Sequence, residues 1–243
     1  MIAGIDVERI RADNPGPLTL TGTNTWVLGR DPCWVVDPGP KLAEHVDAVA
    51  AAVAARGGAG GVAITHDHVD HVEGLDALLE RLGPGVPVVA EGQLGPLRGM
   101  PIPGHSDDSV AWIAGAVAFT GDAVLGEGSV FVSARLGEYL AVLEELRALG
   151  LHLLLPGHGG PVLDPAARIG ELIAHRLERE QRLLAALHRG ARTVDALLDD
   201  AWSDAPPPLR LPASASLAAH LDKLEAEGRL PEGVERPRLD WLP

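Results

Sequence analysis

Cysteine occurs once in 243 residues, at Cys33. A single thiol excludes an intrachain disulfide framework and any zinc ribbon built on paired cysteines. Aromatic residues make up only 3% of the chain, so the core has to be assembled from Ala, Val, Leu and Ile. Their scarcity also removes the stacking platform on which single-stranded nucleic acids are commonly held. Basic residues are outnumbered, with 20 Lys and Arg against 34 Asp and Glu and a formal net charge of −14. The deficit is uneven: residues 1–164 carry 9 Lys/Arg against 21 Asp/Glu, and residues 165–243 carry 11 against 13. Phosphate backbones are bound mainly through Lys and Arg, so this balance argues against strong duplex DNA binding. Long apolar runs are missing as well. The longest, Val110 to Phe119, is too short to span a bilayer. The opening MIAGIDVERIRADNPGP has early acidic residues and no apolar stretch of signal length. The expectation is a cytoplasmic protein with no membrane partner.

What is present is globular in character, with 46% hydrophobic and 22% charged residues. The length accommodates one α/β domain, or a main domain with a small appendage. Short apolar or β-branched runs at Thr23–Leu28, Cys33–Val36 and Val62–Thr65 predict strands, separated by the turn signals NPGP, GRDP and DPGP. Leu42–Arg56, ended by Gly57-Gly58, predicts a helix, and Leu75–Leu82 predicts another. Val86–Ala90, Ala111–Phe119 and Leu151–Leu155 read as buried strands, with a helix over Leu136–Leu149 before the last. Strands first and helices alternating later predict an α+β fold, an αββα sandwich with loops gathered at one edge of two sheets, rather than a doubly wound parallel sheet. From Pro165 the pattern changes to helices. Ala166–Leu187 is long and amphipathic, TVDALLDDAW is capped by Thr193, and Ser214–Glu227 follows a Pro-rich connection. With a short terminal hairpin these make a small, mainly helical, winged-helix-like unit over 165–243, after a catalytic unit over 1–164.

The chemistry concentrates in THDHVDH, Thr65 to His71, directly after a predicted strand. Three imidazoles and two carboxylates in seven residues are ligands suited to Zn, Mn or Fe. Extended backbone at His66 and His68 projects both rings to one side, where they can share one ion. A turn after Val69 lets Asp70 and His71 face a second. Three further turns each place one donor after a strand: His105 in PGHSDDS, Asp122 in AFTGDAV and His158 in LLPGHGG. Adjacent glycines allow tight turns and close approach to a metal.

The set HxHxDH, PGH, TGD and PGHG, in this order, is similar to the metallo-β-lactamase superfamily. The resemblance implies His66, His68 and His105 on one ion, Asp70, His71 and His158 on the other, and Asp122 bridging both. NPGPLTLTGTNTWVLG, FTGDAVLGEGSVF, HRLERE and AAHLDKLEAEGRL extend it from Asn14 to Leu230, nearly the whole chain. Over that length it resembles the β-lactamase-like protein 2 group, endoribonucleases with a C-terminal winged-helix domain. The stretch between His71 and His105, one helix, one strand and a Gly/Pro-rich loop, is shorter than that group's pattern. Class B1 lactamases use a cysteine ligand; Cys33 lies far upstream of every ligand position and reads as a small core residue.

The implied chemistry is hydrolysis by a metal-bridging hydroxide at two divalent ions, zinc first and manganese or iron as alternatives. Asp70 is the candidate catalytic residue, orienting that hydroxide and accepting its proton. Asp37, in VVDPGP, is the first candidate to orient an imidazole from behind, with a plain turn-forming role as the alternative. Thr65, Ser106 and Ser109 are weaker candidates. His45, His152, His188 and His220 read as structural, and His175 as part of a salt-bridged junction. Tyr139 reads as core or as active-site rim. The resemblance makes a phosphodiesterase cutting single-stranded RNA the first substrate reading, with hydrolysis of a small-molecule ester, thioester or lactone, as in glyoxalase II and lactonases, as the alternative. Iron-dependent oxidation stays open too, as does a homodimer formed through the C-terminal helices.

Overall fold

The computed structural model describes residues 6–240. The first five residues of the acidic N-terminal stretch and the last three residues of the chain lie outside the described residues.

Two five-stranded sheets form the centre. The first runs β1 (Val7–Arg11), β2 (Asn24–Leu28), β3 (Cys33–Val36), β4 (Ala59–Ala63) and β5 (Val88–Val89), in that spatial order. Its first three strands are antiparallel, and β3, β4 and β5 are parallel. The second contains β6 (Gln93–Leu94), β7 (Leu97–Pro101), β8 (Val110–Ala114), β9 (Val117–Gly121) and β10 (Leu153–Pro156). Here β6 to β9 form an antiparallel meander and β10 joins β9 in parallel.

The period-2 alternation of strands sorts the side chains into layers. Trp26, Leu28 and Val36 meet Trp112, Phe119, Leu153 and Leu155 between the sheets. Val27, Cys33, Val35 and Val62 face outward under α1 (Ala43–Ala54) and α3 (Leu75–Leu82), which follows the single turn α2 (Val69–Val72). On the other side α4 (Leu136–Ala148) and α5 (Pro165–His188) cover the second sheet through Tyr139, Leu143, Leu146, Ile169 and Leu172. The order is helix, sheet, sheet, helix, as the sequence predicts. Three of the few aromatics, Trp26, Trp112 and Phe119, lie between the sheets, where Trp26 and Phe119 meet edge-on at 6.5 Å. Burial of a side chain of Phe size contributes about 1.5–3 kcal/mol. Cys33 is buried, with Sγ 3.3 Å from the Gly58 carbonyl, in keeping with a small core residue.

Several local expectations are corrected. Ala111–Phe119 is not one strand but the hairpin β8–β9, turned at Gly115, whose φ of 58° favours glycine. Sheet and helix bury both faces of these strands, so no polar residue marks the turn region in advance. The predicted strand Val86–Ala90 shrinks to Val88–Val89 at a sheet edge, with Val88 exposed. The Gly/Pro-rich loop before His105 holds the hairpin β6–β7, anchored by buried Leu94 and Leu97. Strand β1 went unpredicted because Val7 alone in VERIR is buried.

At the C-terminal end α6 (Val194–Ala201) is capped by Thr193, whose hydroxyl accepts from the Ala196 N–H at 3.4 Å. Helix α7 (Arg210–Ala226) starts four residues earlier than Ser214. Pro212 sits in its first turn, where a missing N–H removes no helical bond. Leu183, Leu187, Leu197, Trp202, Leu217 and Leu221 pack α5, α6 and α7 into a cluster of their own. The predicted terminal hairpin is not formed: residues 229–240 contain no strand. That segment is instead tied down by Glu235 N–H to the Arg192 carbonyl (2.8 Å) and by Arg236 to Asp222 and Glu225.

Candidate metal centre

Every loop bearing a predicted donor leaves the same edge of the sandwich. After β4 the chain runs extended through His66 to His68, which N-caps α2 with φ −60° and ψ 140°. The turn expected after Val69 is thus helical, and it carries Asp70 and His71. His105 follows β7, Asp122 follows β9 immediately, and His158 follows β10. All seven predicted residues converge.

Their donor atoms form three overlapping groups, each within 4.8 Å: His66, His68 and His105; His66, His71 and Asp122; and Asp70, His71 and His158. In the first, His68 Nδ1 lies 3.1 Å from His105 Nε2. In the last, Asp70 Oδ2 lies 3.5 Å from His71 Nε2 and 3.4 Å from His158 Nε2. Asp122 stands between them, with Oδ1 3.5 Å from His71 Nε2 and Oδ2 3.8 Å from His105 Nε2 and 3.2 Å from His158 Nε2.

The residues behind these donors decide which ring nitrogen points inward. Asp37 is buried at the end of β3 and adopts a left-handed φ of 55°, a conformation that costs of order 1–3 kcal/mol. Its Oδ1 accepts from the Thr65 N–H, and its Oδ2 accepts from the Thr65 hydroxyl and lies 2.8 Å from His71 Nδ1. Because the Thr65 hydroxyl donates to Asp37, it accepts from His66 Nδ1 at 3.0 Å. One carboxylate therefore aims Nε2 of both His66 and His71 at the centre. His105 Nδ1 donates to the Phe131 carbonyl (3.2 Å), and His158 Nδ1 to the Gly22 carbonyl (3.3 Å). Thr23, fixed by Asn14 Nδ2 at 3.0 Å, donates its hydroxyl to Asp70 Oδ2 at 2.7 Å.

Electrostatics test whether a cation fits. His66 Nε2, His71 Nε2 and Asp122 Oδ1 are buried and have no hydrogen-bond partner among the described residues, an arrangement disfavoured unless another ligand satisfies them. Burial pushes His105 down to about 4 against the pull of Asp122, and lowers His66 well below 6.5. Both therefore offer lone pairs at neutral pH. Burial opposes a charge on His71 too, yet Asp122, Asp37 and Asp70 outweigh it and raise that imidazole to about 9. Burial likewise opposes charge on Asp122, but His71, His158 and His105 hold it well below the carboxylate range. Without a metal, a proton on His71 supplies the positive charge that these carboxylates demand. Divalent metal ions fit that demand and this donor set.

The β-lactamase associated winged helix domain family matches residues 193–233. A β-lactamase-like protein 2 homolog of Caenorhabditis elegans is 31% identical, over 97% of this chain and 89% of its own. The chain belongs to the β-lactamase-like protein 2 family of metallo-β-lactamase hydrolases. This family member is also 30% identical to an atrochrysone carboxyl ACP thioesterase of Aspergillus novofumigatus, over 76% of its length, and spans 64% of that protein. A β-lactamase domain protein from Burkholderia ambifaria shares the fold, with a TM-score of 0.74, 22% identity and coverage of 94% and 89% of the two chains.

Two residues of the β-lactamase-like protein 2 family member's centre escaped sequence reasoning, Thr23 and Asn14. Both lie in the quoted NPGPLTLTGTNT motif, but only the fold carries them 47 and 56 positions along the chain to Asp70. Ser106 and Ser109 close the His105 loop on each other, Oγ to Oγ at 2.7 Å. His45 is held by the Thr25 hydroxyl (2.9 Å), and His220 lies between the Ser216 and Arg176 carbonyls. Tyr139 is core, its hydroxyl donating to the Ala123 carbonyl. His175 accepts from Arg179, which pairs with Asp204, so HRLERE forms a charged junction.

Proposed function

We propose that this hydrolase cleaves thioesters or esters of small acyl groups at a dinuclear zinc centre. The observation that carries the reading is the Asp122 carboxylate placed between two donor groups, one oxygen toward His71 and the other toward His105 and His158. We assign His66, His68 and His105 to one ion, Asp70, His71 and His158 to the other, and Asp122 to both. Two divalent ions held there would supply hydroxide at neutral pH and positive charge for a developing oxyanion. Asp70, half-buried and steadied by the Thr23 hydroxyl, orients the attacking water and accepts its proton. The all-nitrogen-and-oxygen donor set suits zinc, with manganese or iron as substitutes.

The acyl reading is favoured by the mouth of the site. Asp67, Asp107 and Asp108 are exposed beside the donors with one guanidinium, Arg135, 3.9 Å from Asp107, so the rim is net acidic; the Asp67 N–H donates to Asp108 at 2.9 Å. Such a rim repels a polyphosphate and tolerates a neutral acyl group. The thioesterase name of one relative points the same way. A second reading, cleavage of single-stranded RNA, follows from the near full-length likeness to the β-lactamase-like protein 2 group. We take residues 1–164 as the catalytic unit and 165–243 as a C-terminal unit that serves as a lid or homodimer contact, in a cytoplasmic protein. No helix among the described residues is long and apolar enough to cross a membrane.

Zinc-loaded protein assayed in parallel on an acyl thioester, a lactone and single-stranded RNA separates these readings. Thioester or ester turnover lost in His68→Ala is the expected result. RNA cleavage with no thioester or ester turnover overturns the acyl reading, and less than one metal ion per chain overturns the centre itself.

A further inference from the structure

His105 is oriented by a segment with no secondary structure of its own. Residues 129–133 form no strand or helix, so their backbone lacks a ladder to hold it. Yet this segment accepts the His105 Nδ1–H at the Phe131 carbonyl, and Ser133 donates its hydroxyl to the His105 carbonyl at 3.0 Å. The Phe131 ring also lies 4.9 Å from the His105 ring, centroid to centroid.

At its far end the segment is held by the Ser133 N–H, which donates to the Gly104 carbonyl at 2.8 Å, and around Phe131 it is held by the C-terminal helices. Arg176 on α5 donates Nη2 to the Val130 carbonyl. Ser216 on α7 accepts the Val132 N–H at 3.2 Å. The two anchors flank Phe131 on both sides, so the carbonyl facing His105 is fixed from each neighbour. Just upstream Arg168, also on α5, donates to the Leu125 and Gly128 carbonyls. Arg176 is 2% exposed, its Nε has no hydrogen-bond partner, and no carboxylate lies within ion-pair distance among the described residues. A buried guanidinium without a counter-charge is costly, and an apolar side chain would pack there at less expense. Folding stability alone does not account for it; the Val130 contact does.

We propose that Arg176 and Ser216 are positioning residues of the metal centre. Through Val130 and Val132 they hold the Phe131 carbonyl against His105, which keeps the proton on Nδ1 and the Nε2 lone pair directed at His66 and His68. The C-terminal helices thus complete the first donor group. The second group depends on other supports: Asp37 behind His71, Gly22 behind His158 and Thr23 behind Asp70. This inference rests on the reading of His105 as a metal ligand.

The test is stepwise zinc affinity of the full chain, titrated against a competing chelator, with His105→Ala and His158→Ala assigning each step to a donor group. Ser216→Ala and Arg176→Met are expected to weaken the His105-dependent step by roughly 10–100-fold, the usual cost of losing a partner behind a metal ligand. The His158-dependent step should stay within about threefold, as those supports are untouched. Ser216→Thr, which keeps the hydroxyl, should restore the lost affinity. Leu221→Ala, inside the C-terminal cluster, serves as a control that lowers thermal stability without touching the segment. Unchanged affinities in Ser216→Ala and Arg176→Met, or equal losses in Leu221→Ala, overturn the proposal. Failure of the unsubstituted chain to bind two zinc ions overturns the metal-centre reading instead, and the inference with it.

Discussion

Asp37 Oδ2 lies 2.8 Å from Nδ1 of His71, with both side chains buried. The same oxygen accepts the Thr65 hydroxyl, which in turn holds His66, so one carboxylate sets two imidazoles. Asp37→Ala removes both supports at once. Zinc binding should weaken by about 10–100-fold at each donor group, measured by chelator competition. Thr65→Val should weaken only the group containing His66. Equal losses in the two variants would contradict the shared-carboxylate arrangement.

Gly157 offers a test that leaves every donor in place. A Cβ there would come within 2.5 Å of Asp122 Oδ1 and 2.6 Å of His71 Cε1, closer than real contacts allow. Gly157→Ala should therefore abolish binding of at least one ion, since displaced ligands cannot keep metal–donor distances near 2 Å. Circular dichroism should stay near that of the unsubstituted chain. Full metal occupancy in this variant would show that the centre is laxer than the packing implies.

Acid sensitivity should trace in part to His220. It is fully buried, and burial pushes its pKa from 6.5 down to about 4. Above pH 6.5 the ring is neutral in folded and unfolded chains alike, and its burial carries no proton penalty. As pH falls toward 4 the unfolded chain takes up a proton that the folded chain refuses, so stability is lost across that window. The loss amounts to about 3 kcal/mol at most. His220→Gln cannot titrate, so the difference between the two proteins in denaturant midpoint should narrow from pH 7 to pH 4. A constant difference would assign the acid limb elsewhere.

Metal removal should destabilise the fold as well as stop hydrolysis. The donors belong to loops from both sheets, so an ion bound only by the folded chain stabilises it by mass action. At a thousandfold excess over Kd that is about 4 kcal/mol per ion. For a chain of this size it corresponds to a rise in Tm on the order of 10 °C. Calorimetry with and without a chelator measures it. An unchanged Tm would mean that the folded chain binds no ion, or that the unfolded chain binds it equally well.

The donor set was legible in the chain because its chemistry is local and compositional. Imidazoles and carboxylates at HxHxDH spacing, and single donors flanked by glycine after apolar runs, need no tertiary information to be noticed. The same holds for the longer helices: α4 and α5 match their predicted spans within two residues. The hairpin at Gly115 and the pair β6–β7 were not legible, because burial on both faces erases alternation and two-residue strands carry almost none.

By itself, then, the sequence determined which side chains are candidate metal donors and that they fall in turns between short apolar runs. It did not determine where those atoms point. His66 and His105 each have two ring nitrogens, and the choice between them is made by Thr65 with Asp37 and by the Phe131 carbonyl. The partners of Asp37 lie 28 and 34 positions away, and Phe131 lies 26 positions from His105. Ring tautomers follow from hydrogen bonds between segments distant in the chain, and those exist only once both sheets and the C-terminal helices have packed. For the same reason Arg176 reads in sequence as one more charge in HRLERE, and only the closed core shows it pressed, with no counter-ion among the described residues, against the segment behind His105.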